Sequence, residues 1–324
     1  VAFSVVDIVR GSFLSRKSKY FDRSFQISLL HPKYWLTWIG ILILVIFGLL
    51  PAWFRDPLAR LLAKLVMKIV KKPISVARIN LTTCFPEKST AEIESLIKDN
   101  VESFVMTLLA QSELLVRSKA HMRHRVRLYG FEHVTQAREA GNPVIFIMPH
   151  VWGIEYAGLR LNLELPMVSM AKAHRNDLFN WFNNRMRSSQ GGNIYMREAG
   201  IRALLAELKN DNSFFYLPDE DLGRDKSVFT PFLGTVKATL PVVGRLAQVG
   251  NAQVMPVKIG YDQKKHRYDL TVMPAISPDD MQGKDNEALA LNSAVEQVIQ
   301  AYPEQYMWFL KVLKTRPKGE SPLY

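Results

Sequence analysis

The chain has 324 residues with 48% hydrophobic content, enough apolar side chain to bury a sizeable core and too much for a disordered chain. Its 42 Lys+Arg against 30 Asp+Glu give a formal net charge of +12, and nearly all of that excess lies in the first 130 residues, with 20 basic and 9 acidic side chains against 22 and 21 in the remainder. The single cysteine, Cys84, excludes an internal disulfide and any multi-cysteine metal site, and is compatible with a reducing compartment.

In chain order, residues 1–33 form a basic arm carrying Arg10, Arg16, Lys17, Lys19 and Arg23. Between Lys33 and Arg55 stand 21 residues without a charge, "YWLTWIGILILVIFGLLPAWF", close to the roughly 20 needed to cross hydrocarbon as a helix. Tyr34, Trp35 and Trp38 at one end and Trp53 at the other match an interfacial aromatic belt. The run predicts a membrane-anchoring helix over 34–54. A cleaved signal peptide would start nearer the terminus and be shorter, while a buried core helix is the bland alternative. Both flanks are basic, so the positive-inside rule sets no orientation, and the anchor either spans the bilayer or dips into it.

Residues 55–80 continue as an amphipathic basic segment. Leu58, Leu61, Leu62, Leu65, Val66, Ile69 and Val70 recur at helical spacing, with Arg60, Lys64, Lys68, Lys71 and Lys72 on the other face. Such a helix can lie in a membrane surface with its lysines towards anionic headgroups, or pack on the protein body; the pattern fits both. Its basic residues alternate with long aliphatics rather than stacking aromatics, which favours lipid over nucleic acid as partner.

Residues 81–324 read as one continuous domain, without repeats or a Pro/Gly-rich linker. Ser89 and Glu92 form a capping-box pattern ahead of a helical period through Leu108. Strand-like runs follow at "HRVRLYG", "PVIFIMP", "PMVSMA", "NIYM", "SFFYLP", "AQVMPVKIGYD" and "RYDLTVMP", separated by helical stretches. Alternation of this kind predicts an α/β fold with a central mixed, largely parallel sheet flanked by helices.

Within it, "MPHVWGIEYAG" sets Glu155 five positions after His150. On one helix that spacing leaves the side chains about 140° apart, so His150 is expected to precede the helix, at the carboxyl end of the "PVIFIMP" strand, where open α/β sheets place ligands. Glu155 in the first helical turn would then reach back and orient the imidazole as a base. Composition alone accounts for a pair at this spacing, and only the strand-to-helix context raises it. The chain has no G-x-S-x-G, no glycine-rich phosphate loop and no zinc-type cluster beyond an isolated "HMRH".

The blocks "LLHPKYWLTW", "NLTTCFPE", "HVWGIEYAG", "YLPDEDLG", "FTPFLGTVKATLP" and "EQYMWFLKVLKTRPKGE", occurring in that order, resemble the late acyltransferases of bacterial lipid A biosynthesis, within the glycerolipid acyltransferase superfamily. "YLPDED" and "KATLP" look most like the myristoyltransferase branch. The resemblance implies transfer of a fatty acyl group from acyl carrier protein onto a hydroxyacyl chain of a phosphorylated lipid A precursor. It places His150 and Glu155 on the family's catalytic pair and Arg197 on a phosphate-contacting arginine. Asp219, Glu220 and Asp221 fall on the third block without its E-G-T-R pattern, and are expected to pair with Arg224, Lys237 or Arg197. Asp219, Asp221, Lys237 and Arg197 are accordingly the candidate substrate-binding set. No metal or cofactor is implied. The bacterial inner membrane is, with the catalytic domain on its cytoplasmic side and anionic lipid as a further partner. A membrane-bound esterase or thioesterase using the same pair, and a non-enzymatic lipid-binding scaffold, are the alternatives.

Overall fold

The structure, a computed structural model, describes residues 21, 24–196 and 199–324; Arg10, Arg16, Lys17, Lys19 and Arg23 of the N-terminal arm lie outside them. The uncharged run is two helices rather than one. Helix α1 covers Trp35–Leu49 and α2 covers Ala52–Ile69, because Pro51 drives Leu50 into the extended region, at φ −75° and ψ 145°. Trp53 and Phe54 therefore belong to α2. One face of α1 packs on the body through Tyr34, Trp38, Ile41 and Val45. Still, only 17% of Pro32–Leu49 is buried, unlike a core helix.

Helix α2 uses different faces for the two roles its sequence allowed. Ala59 and Ala63 are buried and bring it against α4 (Thr90–Ala110), while Arg60, Lys64 and Lys68 stay exposed. The amphipathic segment breaks at Val70, and α3 runs Lys71–Cys84; Pro73 sits in the first turn of α3, where a missing amide costs least. Ser89 caps α4 with the expected reciprocal bonds, Glu92 accepting from the Ser89 amide at 2.8 Å.

Two short helices, α5 (Glu113–Val116) and α6 (Lys119–Arg125), complete a buried charge cluster. Glu113 accepts from Arg55 at 2.9 Å, Arg125 at 2.7 Å and the Tyr156 hydroxyl at 2.6 Å. Burial works against its charge, but the two guanidinium groups hold its carboxyl below the usual range. Glu113→Ala would leave two buried cations without their carboxylate, and is expected to cost about 3–5 kcal/mol, read as a lowered thermal midpoint by calorimetry.

The remaining elements are β1 (Val126–Tyr129), α7 (Phe131–Glu139), β2 (Val144–Ile147), α8 (Ile154–Asn162), β3 (Met167–Ala171), α9 (Asp177–Arg187), β4 (Asn193–Met196), α10 (Ile201–Lys209), β5 (Ser213–Tyr216), β6 (Val228–Phe232), β7 (Thr235–Thr239), α11 (Val243–Gly250), β8 (Gln253–Asp262), β9 (Arg267–Val272) and α12 (Lys284–Ala301). Among the described residues, seven strands form one sheet in the order β1-β9-β8-β2-β5-β3-β4. Every neighbouring pair is parallel except β8 with β9, as the alternating pattern predicted. The β6–β7 hairpin is an addition the alternation did not mark. It turns at Leu233, whose φ of 50° is unusual for a residue with a side chain.

β2 is buried at all four positions and pairs in parallel with β5, Ile147 opposite Tyr216. Their carboxyl ends therefore emerge side by side, and the site is built there.

Candidate active site

His150 stands three residues beyond Ile147, and Asp219 three beyond Tyr216. Each follows an apolar residue and a proline, "IMPH" and "YLPD", so two chains leaving adjacent strands in register bring the side chains together. The Asp219 carboxylate accepts from the His150 amide at 2.9 Å and meets His150 Nδ1 at 2.8 Å. The Tyr306 hydroxyl donates to it at 2.9 Å. An ionised carboxylate at Nδ1 makes that nitrogen the donor, which leaves Nε2 as the acceptor.

The C-terminal segment locks this arrangement from the other side. Met307 donates its amide to the His150 carbonyl at 2.8 Å, Trp152 to that of Gln305 at 2.9 Å, and Val151 bridges Tyr306. Burial pulls the His150 pKa down, but the Asp219 carboxylate beside it more than reverses this and leaves it above the usual 6.5. For Asp219, burial opposes the charge and the His150 contacts win, so its carboxyl lies below the ordinary 3.8. Burial and the same carboxylate push the Tyr306 phenol well up, keeping it a donor.

The Glu155 carboxylate turns to Arg187 and not to His150. The residue lies in the first turn of α8, as expected, but its carboxylate accepts from Arg187 Nε at 2.8 Å and from the same guanidinium's Nη2. A two-pronged, charge-assisted pair with an arginine is the stronger partnership, and Asp219 already occupies Nδ1. Both Glu155 and His150 nevertheless line one cavity of about 1050 Å³. Its walls carry Ile154, Leu159, Phe215, Leu217, Leu246 and Leu310, with Lys172, Lys226, Lys311 and Lys314 among them.

The other expected residues fall into place around this pair. Lys237, on β7, is fully buried and absent from the cavity lining; burial lowers its pKa and Asp219 and Asp221 raise it in part. Its ammonium donates to the Ala238 carbonyl and the Thr239 hydroxyl, each at 3.4 Å. Asp219 is almost as fully buried, with both oxygens bonded to protein groups, and it lies at the wall of the cavity beside Glu220 and Asp221. Asp221 accepts from the Thr315 amide at 2.6 Å, the Thr315 hydroxyl at 2.7 Å and the Gly223 amide at 3.1 Å, tying its loop to the C-terminal segment. Arg224 donates to the Arg316 carbonyl at 2.7 Å rather than to the acids. Arg197 lies outside the described residues. After His150, the backbone amides of Trp152 and Ile154 donate to the carbonyls of Gln305 and Val151. Cys84 is buried, which pushes its thiol up to about 12 and makes it inert at neutral pH.

Residues 23–315 match the sequence profile of the family described as "Bacterial lipid A biosynthesis acyltransferase". The chain belongs to that family. The lipid A biosynthesis acyltransferase of Haemophilus influenzae is 34% identical over 93% of this chain and 94% of its own length. The lipid A biosynthesis myristoyltransferase of Escherichia coli is 35% identical over 94% of this chain and 93% of its own. Among solved structures, the 1-acyl-sn-glycerophosphate (LPA) acyltransferase of Thermotoga maritima aligns at a TM-score of 0.34 and 14% identity, over 77% of this chain and 97% of that one.

This lipid A acyltransferase carries one apolar helix near its N-terminus, consistent with membrane association. The orienting carboxylate that the local reading assigned to Glu155 has a visible signal in the sequence. "IMPH" and "YLPD" share one pattern at one offset from two strand runs, but recognising it requires knowing that those strands are neighbours.

Proposed function

We propose that this lipid A acyltransferase takes its acyl group from acyl carrier protein thioester and delivers it to a hydroxyacyl chain of a phosphorylated lipid A precursor, with His150 as general base and Asp219 as its positioning residue. The observation that carries this reading is the 2.8 Å contact between His150 Nδ1 and Asp219 at the edge of a large cavity with apolar walls and several lysines. Hydrocarbon chains suit the walls, and ammonium groups suit phosphate.

An aliphatic hydroxyl is a weak nucleophile at neutral pH. Nε2 of His150 accepts its proton as the oxygen attacks the thioester carbonyl, giving a tetrahedral oxyanion. The carbon–sulfur bond then breaks, and the imidazolium, stabilised by Asp219, returns the proton to the departing thiolate. No acyl-enzyme is needed. The acidic surface of a carrier protein and the precursor's phosphates are both drawn to the basic N-terminal region, and on this reading the catalytic domain faces the cytoplasmic side of the inner membrane.

The test is incubation of the membrane-reconstituted protein with acyl carrier protein thioester and a lipid A precursor. The expected result is a precursor heavier by one acyl group; release of free fatty acid alone would overturn the transfer reading. Glu155→Gln separates the two carboxylates. With Arg187 released into the cavity, kcat/KM is expected to fall by about 10-fold or more. The acidic limb of the pH–rate profile should stay in place, because Glu155 makes no bond to His150. A shift of that limb would restore Glu155 as the orienting group.

A further inference from the structure

Residues 304–310 form a strap across the dyad, with no helix or strand of its own beyond the 3₁₀ turn at Pro303–Gln305. Two side chains fix its path. Asn100 lies inside α4 and Asn80 inside α3, and both are fully buried. Nδ2 of Asn100 donates to the carbonyls of Glu304 and Tyr306, at 2.8 and 2.7 Å. Nδ2 of Asn80 donates to those of Trp308 and Leu310, both at 2.8 Å. Each amide therefore spends both of its hydrogens on alternate carbonyls of the strap.

The two asparagines support different parts of the site. The bonds from Asn100 enclose the stretch that touches the dyad: the Gln305 carbonyl accepts from the Trp152 amide, the Tyr306 hydroxyl donates to Asp219, and the Met307 amide donates to the His150 carbonyl. Tyr306 is thus gripped at its carbonyl by Asn100 while its hydroxyl grips Asp219. The bonds from Asn80 lie further along, where Leu310, Lys311 and Val312 line the cavity. Asn80 is itself anchored, because its Oδ1 accepts from the Tyr324 hydroxyl, which in turn accepts the Leu313 amide at 3.2 Å.

Packing alone does not call for asparagine at either place. In a helix interior it is a poorer former than leucine or alanine, and burying an amide costs more than burying hydrocarbon of similar shape. At position 100 that cost is only partly offset, since Oδ1 has no hydrogen-bond partner among the described residues. What asparagine adds there is a pair of donors at a fixed place on a 21-residue helix.

We infer that Asn100 and Asn80 are positioning residues for acyl transfer: Asn100 sets the His150–Asp219 geometry through Tyr306 and Met307, and Asn80 sets the cavity wall at Leu310 and Lys311. Neither lines the cavity, so both act through the strap. The inference rests on the reading of His150 as base with Asp219 beside it.

Asn100→Leu tests it, because leucine keeps the core filled and removes both donors; Asn100→Ala is its companion. Each is assayed for transfer from carrier-protein thioester to lipid A precursor across pH, at a temperature below its own measured melt. The expected result is a kcat lower by about 10- to 10²-fold with KM little changed, and an acidic limb of kcat/KM moved to lower pH. Burial lowers the His150 pKa, Asp219 and Glu220 raise it and Lys237 lowers it, so a strap that frees Tyr306 and loosens Asp219 from the ring lets burial act with less opposition. A lowered melt with near-normal kcat and an unmoved limb would overturn the inference and leave Asn100 a purely structural residue. Asn80→Ala should show the opposite split, KM raised severalfold with kcat and the limb in place, and an unchanged KM would remove its assigned role. If both Asn100 variants fail to fold, Asn80→Ala decides alone by the same split. Normal transfer by His150→Ala would bring down the reading of the base and this inference with it. An inactive His150→Ala beside normal Asn100→Leu and Asn80→Ala would bring down this inference only.

Discussion

His150→Ala is expected to reduce acyl transfer by about 10²- to 10⁴-fold while leaving the fold intact. The ring is one-quarter exposed at the cavity edge, so its loss opens no void in the core. What disappears is the group that, in the proposed mechanism, accepts the hydroxyl proton. The check is the mass-resolved transfer assay on His150→Ala beside a thermal melt. Near-normal transfer at an unchanged melting temperature would show that the proton goes elsewhere and would remove His150 from the reaction. The unsubstituted enzyme carries a second signature. The base works only when neutral, so kcat/KM should rise with pH through the His150 pKa, and because Asp219 raises that pKa the acidic limb should lie above 6.5.

Asp219→Asn is expected to be at least as damaging, on the order of 10³- to 10⁴-fold, although both its oxygens are bonded to protein groups. An asparagine that turns its amide nitrogen towards Nδ1 donates where the carboxylate accepted. It therefore favours the tautomer with the proton on Nε2, the nitrogen that must be free. The removed charge also ceases to hold the imidazolium. Burial then acts on His150 with less opposition, its pKa falls, and the acidic limb of whatever activity remains should move to lower pH. Glu155→Gln, by contrast, should leave the limb in place. If Asp219→Asn lost activity with an unmoved limb, its role would be to hold the loop and not to tune the base. If it kept activity, the positioning role would be lost altogether. A Tyr306→Phe variant, which removes one donor from Asp219 and keeps the His150 contacts, should lie between the two.

The local statements in the sequence were accurate where physics is local. The capping box at Ser89 and Glu92, the strand within "PVIFIMP" and the helix with Glu155 in its first turn depend on neighbours within a few residues, and each formed. Counting uncharged residues from Tyr34 to Phe54 overlooked a local signal, the proline at 51, which divides the run. The β6–β7 hairpin escaped because its turn uses Leu233 in a left-handed conformation, not the Asn-Gly or Asp-Gly pair that marks tight hairpins.

By itself the sequence determined an apolar, aromatic-flanked N-terminal segment, a mixed sheet domain, a histidine at the mouth of that sheet and, through its ordered blocks, the family. Only tertiary structure decided which carboxylate the histidine meets. Glu155 is five residues away and turns to Arg187; Asp219 is 69 residues away and is delivered by the strand next door. Spacing along a chain fixes which side chains share a helix face or a strand face, whereas strand order fixes which loop ends meet, and that order follows from how the whole sheet buries its apolar surface. The same holds for α1: its composition gave an apolar helix, and its carbonyls' contacts with Ser112 and Arg117 set which face turns to the protein.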